Sequence, residues 1–138
     1  MSDPQENIAF VQSLYEAFAR RDVPSILAVL SPTVEWNEPS NPYNPGGGTR
    51  HGHEGFLEWL RVGNQSEEIL TLEPKEFLAN PSAVAVVGYT RCRVRATARE
   101  YETEFVHVVT LKDGKVQRFR EFFDTFAAAE AFRIQGDT

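Results

Sequence analysis

Two residues suited to proton transfer lie near the C-terminal end of the sequence. His107 is in the run FVHVVTLKDGKV (105–116), and Glu121 is in RFREFFDT (118–125). Imidazole and carboxylate side chains are among the usual general acids and bases of enzymes. A carboxylate between Phe119 and Phe123 is costly to desolvate, which would make it a better base. The alternative is structural, with His107 a satisfied core histidine and Glu121 orienting its ring or pairing with an arginine at the rim.

The charge pattern of two strands predicts which side chains share a face. Residues 83–95 and 100–111 are rich in Val, Tyr, Phe and Thr, which is typical of strands. A two-residue turn at Thr97-Ala98 would join them. Three opposite-charge pairs would then align on one face: Arg95–Glu100, Arg93–Glu102 and Arg91–Glu104. This agreement predicts that the charged face is the convex, solvent-facing one.

The other face of the same sheet is expected to be apolar and concave. A three-residue loop at 112–114, with Gly114 in a left-handed conformation, would lead into the last strand at 116–123. His107 and Glu121 would then point into the concavity. A two-residue turn at 113–114 would instead turn Arg118, Arg120 and Phe122 inward. The longer loop is favoured because it keeps two arginines out of the core.

The remaining pattern places helices before the sheet. Helices are predicted at about 3–20, from Asp22 to about 31, from about 53 to 62, and at 127–134; further strands are predicted at 33–38 and 69–79. Helices followed by an antiparallel meander indicate an α+β fold, and 138 residues suit one domain. The segment SNPYNPGGGTRHG (40–52) is expected to be irregular, either a binding loop or a solvated connection.

Further candidate residues lie beside this loop and on the strands. Trp36 is expected to line a pocket, and Glu38 is an alternative base if its strand slips by two residues. His51, His53 and His107 could supply three nitrogens to a metal, but no carboxylates of suitable spacing accompany them, so no metal is predicted. His53 is expected at most to cap the third helix. Aromatic residues expected to hold a ligand are Trp36, Tyr43, Tyr101, Phe105, Phe119 and Phe123.

Five segments in order carry a family resemblance: LYEAFARRD (14–22), TVEWNEP (33–39), GGGTRHGHEGFLEWL (46–60), FVHVVTLKDGKV (105–116) and RFREFFDT (118–125). Together they resemble the SnoaL-like and ketosteroid isomerase-related branch of the NTF2-like superfamily, over nearly the whole chain. The resemblance implies a cystatin-like cone, in which a curved antiparallel sheet wraps around N-terminal helices and leaves a pocket at the open end. It also implies a dimer. Activities in the superfamily include isomerisation, aldol cyclisation, dehydration and epoxide hydrolysis, and other members only bind or scaffold.

The resemblance matches some site residues of the family to residues of the same type in this sequence, and others to residues of a different type. Ketosteroid isomerase uses an Asp base and an oxyanion hole of Tyr and protonated Asp. By resemblance, His107 takes the place of the oxyanion-hole Asp, Leu14 that of the Tyr, and Trp36 that of the base. Tyr15 is one residue off and expected on another face. The polyketide cyclases of the SnoaL type place a His and an acid on the last two strands, which His107 and Glu121 resemble, with Glu for Asp.

Composition narrows the function further. Fourteen Lys and Arg against twenty Asp and Glu give a net charge of −6, which argues against nucleic-acid and anionic-membrane partners. The single Cys92, the polar acidic start and the lack of a long apolar run predict a cytoplasmic location and no membrane span. We expect a cofactor-independent lyase, isomerase or cyclase acting on a small hydrophobic carbonyl compound. The alternative is a non-catalytic ligand-binding or dimer-scaffold protein.

The convex face also predicts an interface. An apolar patch beside the Arg/Glu ladder comprises Val87, Tyr89, Val106, Val108 and Phe122. Such a patch on an acidic protein is more often an interface than bare surface. We therefore expect a homodimer through the convex sheet face.

Overall fold

Three of the four helices within residues 3–134 begin at an aspartate that caps them. The computed structural model describes residues 3–134, with helices α1 (Pro4–Ala19), α2 (Val23–Val29), α3 (Gly52–Ser66) and α4 (Thr125–Phe132). The carboxylates of Asp3, Asp22 and Asp124 each accept a backbone N–H in the first turn of α1, α2 and α4. Within residues 3–134, no helix is both long and apolar enough to cross a membrane.

In the part of the chain that the structure describes, six strands form one curved, unclosed sheet. They are β1 (Leu30–Glu38), β2 (Gly48–His51), β3 (Glu67–Ala79), β4 (Ala83–Val94), β5 (Glu100–Lys112) and β6 (Lys115–Phe123). The spatial order is β2-β1-β6-β5-β4-β3. β1 runs parallel to β6, and the other neighbours are antiparallel. The sheet is therefore mixed, whereas a purely antiparallel sheet was expected. The α+β cone is confirmed.

The end of the glycine-rich segment is regular, contrary to expectation. Residues 48–51 form β2, which pairs with β1 from Glu35 to Glu38. The side-chain amide of Asn37 donates to the hydroxyl of Thr49 at 2.8 Å, which ties the two strands together. Of the predicted irregular segment, residues 40–47 are irregular, whereas residues 48–51 form β2 and Gly52 begins α3.

The predicted register of β4 and β5 was wrong by two residues. Arg93 lies opposite Glu100 and Arg91 opposite Glu102. The connection is longer than the predicted two-residue turn: the N–H of Val94 donates to the carbonyl of Arg99, and Ala98 has a φ of 62°. A shift by two residues keeps every side chain on the same face, because strand side chains alternate. The charged ladder therefore still lies on the convex face.

The predicted three-residue loop between β5 and β6 was also wrong, but His107 and Glu121 still share the concave face, as expected. Asp113 and Gly114 form a two-residue turn with φ values of 53° and 75°, and Lys112 pairs with Lys115. Pairing then skips Gln117, because Leu111 lies opposite Val116 and Thr110 opposite Arg118. This bulge adds one residue to β6. The side chains beyond it therefore lie on the opposite faces from those that the two-residue turn alone would give. His107 therefore lies directly opposite Glu121 on the concave side.

The main core fills the space between the concave face and helices α1 to α3. Its fully buried members include Val11, Ile26, Val34, Phe56, Val86, Phe105 and Val109. A smaller cluster of Val94, Ala131 and Phe132 packs α4 against the far end of the sheet, with Tyr101 beside it. The polar site residues therefore lie in a setting that water reaches poorly.

Candidate active site

Three polar side chains form a hydrogen-bonded chain inside the cone. The Nε2 atom of His107 lies 2.8 Å from Oε2 of Glu121, its cross-strand neighbour. The Nδ1 atom of His107 lies 2.5 Å from the hydroxyl of Tyr15 on α1. His107 is 6% exposed, so the chain crosses a nearly dry region. Tyr15 thus faces the site, which corrects the expectation that it lies on another face.

Aromatic rings hold the imidazole of His107 in place. The ring of Phe105 stacks on it with centroids 4.2 Å apart, and the ring of Phe119 lies 4.8 Å away. The phenol ring of Tyr15 is nearly parallel to it, with an interplanar angle of 9°. Rings packed on several sides restrict the imidazole to orientations in which both nitrogens keep their partners.

The hydrogen-bond capacity of the chain decides which atoms can meet a ligand. Both ring nitrogens of His107 are occupied, by Tyr15 and by Glu121. The second oxygen of Glu121, Oε1, has no hydrogen-bond partner within residues 3–134. The Tyr15 hydroxyl can make a further hydrogen bond. Burial and, to a smaller extent, the charge of Glu121 raise the pKa of Tyr15 well above its usual value, so Tyr15 stays protonated.

The hydrogen-bonded side chains of Tyr15, His107 and Glu121 line one cavity of about 120 Å³. It is close in size to the ~150 Å³ protein cavity that holds a benzene ring. Its walls are mainly aromatic and aliphatic, and Trp36 stacks on Phe119 with centroids 4.0 Å apart. The indole N–H of Trp36 is buried in the wall without an acceptor among residues 3–134. The sequence-predicted residues that line the cavity are Trp36, Glu38, Tyr101, Phe105, His107, Phe119, Glu121 and Phe123.

Glu38 lies in the same cavity wall, but its oxygens are occupied. The indole N–H of Trp59 donates to Oε1 at 2.8 Å, and the amide of Asn44 donates to Oε2 at 2.6 Å. Burial and the nearby charge of Glu121 raise the pKa of Glu38 to about 7. Glu38 is therefore held by two donors, whereas Glu121 has an oxygen free to take a proton.

A second polar group in the cavity was missed at the level of sequence. The hydroxyl of Tyr101 lies 3.0 Å from Oε1 and 3.1 Å from Oε2 of Glu67. Burial is the main cause that raises the pKa of Glu67 to about 7, and that of nearby Cys92 to about 12. Strand alternation could have found Glu67, because it is two residues before Ile69, where the strand was expected to begin.

The remaining predicted residues lie elsewhere. Tyr43 is 37% exposed on the 39–47 segment and does not line the cavity, contrary to expectation. His51 lies near Glu35 on the surface, with 3.9 Å between Nε2 and the nearest carboxylate oxygen. His53 donates from Nε2 to the carbonyl of Leu30 and does not cap α3. Within residues 3–134, no group of three or more His, Cys, Asp or Glu is arranged to hold a metal ion.

Comparisons with known proteins agree with this architecture. Residues 11–119 match the SnoaL-like domain. An NTF2-like protein of Burkholderia xenovorans is 35% identical, with a TM-score of 0.87, over 95% of this chain and 98% of that chain. An NTF2-like protein of unknown function from Burkholderia pseudomallei is 34% identical, with a TM-score of 0.85, over 97% of this chain and 100% of that one.

A third similar structure contains a small molecule. TerC, co-crystallised with polyporic acid, is 32% identical to this chain, with a TM-score of 0.78, over 91% of this chain and 97% of that chain. No curated protein sequence matches the chain significantly.

Proposed function

Because the chain belongs to the SnoaL-like domain family, we propose that it is a cofactor-independent lyase, isomerase or cyclase that moves a proton on a small hydrophobic carbonyl compound. The observation that carries this proposal is the Tyr15–His107–Glu121 chain, which combines a free carboxylate oxygen and a phenol donor in one aromatic cavity. Proton abstraction beside a carbonyl needs a base at the carbon and a donor at the oxygen.

In the proposed step, Oε1 of Glu121 takes a proton from the carbon next to the carbonyl. The electrons of the broken C–H bond form the enolate, whose charge develops on the oxygen. The Tyr15 hydroxyl donates a hydrogen bond to that oxygen. The enolate then regains a proton at another carbon, expels a leaving group, or attacks a second carbonyl to close a ring. These outcomes correspond to an isomerase, a lyase and a cyclase.

His107 is assigned a positioning role in this step. When both ring nitrogens carry protons, Nε2–H donates to Glu121 and Nδ1–H donates to the oxygen of Tyr15. The Tyr15 O–H is then directed to the ligand, and the positive charge of the imidazolium stabilises the developing negative charge. Removing His107 would misplace both groups that touch the substrate.

Exchange of hydrogen for deuterium in acetophenone tests the proposal without knowledge of the natural substrate. Acetophenone has one ring, one carbonyl and exchangeable protons beside it, and its size suits the cavity. We expect the protein in D₂O to accelerate exchange, and Glu121→Gln and His107→Ala each to lower the rate by about 10²–10⁴. The control is Glu104→Gln, since Glu104 is exposed and lies on the opposite face of β5. Exchange no faster than in buffer would contradict the proposal.

A binding-only or scaffold role is the second candidate, because the aromatic walls would hold a ligand without any chemistry. Saturable binding of acetophenone without accelerated exchange would favour the ligand-binding role. Neither binding nor exchange would favour the scaffold role.

We also propose a homodimer through the convex sheet face. Tyr89, Val106 and Val108 are only partly buried there, and Phe122 is 47% exposed. An exposed apolar patch of this kind favours association with a second copy. We expect Val108→Glu to weaken the dimer, as measured by light scattering. A monomer mass for the unmodified protein at high micromolar concentration would contradict the proposal.

A cytoplasmic location is proposed on the basis of cysteine usage. The chain has one cysteine, Cys92, and it is buried and unpaired. Recovery of the native protein in the cytoplasmic fraction of its source cells would support this location, and recovery outside the cytoplasm would contradict it.

A further inference from the structure

Glu67 lies where the inner cavity meets the protein surface. A larger groove of about 800 Å³ runs outside the cavity, between α1, the end of α3 and β3. Six residues line both the inner cavity and this outer groove, and we call them the neck: Tyr15, Phe18, Ile26, Glu67, Ile69 and Leu72. Glu67 is the member of the neck with a carboxylate, so a ligand that enters the cavity through the neck passes close to a negative charge.

The position of this carboxylate is set by Tyr101. The Tyr101 hydroxyl donates to the carboxylate of Glu67 from β5, across the strand that carries Cys92. The bond leaves Glu67 other lone pairs that can accept from a ligand. Its first position in β3 follows directly on α3, so both its backbone and its side chain are held. The carboxylate of Glu67 therefore keeps a fixed position in the neck.

Inside the cavity, His107, the imidazolium of the proposed step, has both ring nitrogens occupied by Tyr15 and Glu121 and offers neither to a ligand anion. Among residues 3–134, the carboxylates in the lining are those of Glu38, Glu67 and Glu121, and no Arg or Lys lines it. The outer groove does contain Arg21 and Arg95, both exposed, together with Glu16 and Glu68. The guanidinium of Arg95 donates to the carbonyl of Asn64. A ligand anion would meet charges of both signs in the groove, whereas within the cavity it would meet three carboxylates and, among residues 3–134, no lysine or arginine.

We propose that Glu67 is a specificity-determining residue that admits uncharged and cationic ligands to the cavity and excludes anions. The proposal rests on the proposed function, because it takes the cavity as the binding site. Like charges in a poorly solvated space repel strongly, and a ligand anion would also lose its hydration without gaining a partner. The substrate class is thereby narrowed to carbonyl compounds without a carboxylate or other anionic group.

Three compounds of nearly the same shape test this charge selection. Benzamide is neutral, benzoate is an anion and benzamidinium is a cation, and each carries one ring that suits the cavity. Binding is followed through the indole N–H resonances of Trp36 and Trp59, which are the two tryptophans of the chain and both line the cavity. At about pH 8, where carboxylates are ionised, we expect benzoate to bind at least about tenfold more weakly than the other two.

Substitution of Glu67 identifies the residue responsible. We expect Glu67→Gln to tighten benzoate binding about tenfold at that pH and to change benzamide binding by less than about twofold. The matched control is Glu104→Gln, because Glu104 is exposed on the convex face of β5 and lines neither the cavity nor the groove. Equal binding of all three compounds, binding of none, or an unchanged benzoate affinity in Glu67→Gln would overturn the proposal.

Lowering the pH provides an independent check. Burial raises the pKa of Glu67 to about 7, so at about pH 6 its carboxyl is mainly neutral while benzoate remains an anion. The groups that face Glu67 are Tyr101 on β5, Cys92 on β4, Glu121 on β6 and Glu38 on β1. Glu38, whose pKa is also raised to about 7, adds to the same change. We expect the preference for benzamide over benzoate to shrink severalfold in the wild type.

Catalysis and selection are measured separately. Acetophenone exchange by the wild type reports on the proposed function, whereas the ratio of benzamide to benzoate affinity in wild type and in Glu67→Gln reports on Glu67. Absence of exchange together with a ratio that Glu67→Gln removes would contradict the proposed function and leave the charge selection standing. A ratio that survives in Glu67→Gln would overturn the assignment to Glu67.

Discussion

Glu67→Gln is expected to stabilise the protein, and to do so more at high pH than at low pH. Burial raises the pKa of Glu67 from 4.5 to about 7 in the folded chain. The folded state therefore binds more protons than the unfolded state between these values, and stability falls as the pH rises through about 7. A neutral Gln, which can still accept from Tyr101, removes this dependence.

The size of the effect follows from the same shift. A rise from 4.5 to about 7 corresponds to about 3 kcal/mol of unfavourable free energy for the ionised group. The carboxylate keeps some exposure to solvent, which reduces the figure to about 2 kcal/mol. We therefore expect Glu67→Gln to raise the free energy of unfolding by about 2 kcal/mol more at about pH 8 than at about pH 5.

Urea unfolding followed by tryptophan fluorescence at the two pH values measures this difference. Glu68→Gln is the control, since its exposed ion pair with Arg93 is worth less than about 1 kcal/mol. A Glu67→Gln variant that is less stable than wild type at about pH 8, or equally affected at both pH values, would show that the buried carboxylate of Glu67 does not destabilise the fold.

Four further predictions concern other residues. A Cβ added at Gly88 would lie 2.4 Å from the ring of Phe105, so Gly88→Ala should destabilise the fold by about 1–3 kcal/mol in urea unfolding. At Gly63 in α3 nothing lies within 4 Å, so Gly63→Ala should stabilise it by about 0.5–1 kcal/mol, and destabilisation there would be unexpected. Burial raises the pKa of the Cys92 thiol to about 12, so the native protein at neutral pH should react with a thiol reagent far more slowly than the urea-unfolded chain. Tyr15→Phe should slow acetophenone exchange about 10²-fold without loss of secondary structure by circular dichroism.

Much of the fold could be predicted because its signals are local. Asp3 and Asp22 cap helices that begin within a residue or two of their expected starts. The ion pairs that were expected to set the β4–β5 register were less reliable, because exposed pairs contribute little and tolerate a two-residue slip. The two-residue turn at Asp113-Gly114 was disfavoured because by itself it would turn Arg118 and Arg120 inward. The bulge at Gln117 in β6 keeps these arginines out of the core. Local turn residues do not reveal such a compensation.

The candidate site was predictable where it depends on strand alternation. His107 and Glu121 were brought together by counting residues along β5 and β6, and the structure places them opposite each other. Tyr15 was misplaced because the rotation of a helix against a sheet depends on tertiary packing, which one-residue offsets in a pattern do not determine. Tyr43 was expected to hold a ligand, but it lies on the loop at 39–47, away from the cavity. The course of a loop also depends on tertiary packing.

A crystal structure of the protein saturated with acetophenone would show whether Tyr15 and Glu121, joined through His107, face one carbonyl group inside the cavity. We predict the ketone oxygen within hydrogen-bond distance of the Tyr15 hydroxyl, and the methyl carbon beside Oε1 of Glu121. A ketone bound outside the cavity, or bound inside with its oxygen turned away from Tyr15, would contradict the proposed proton transfer.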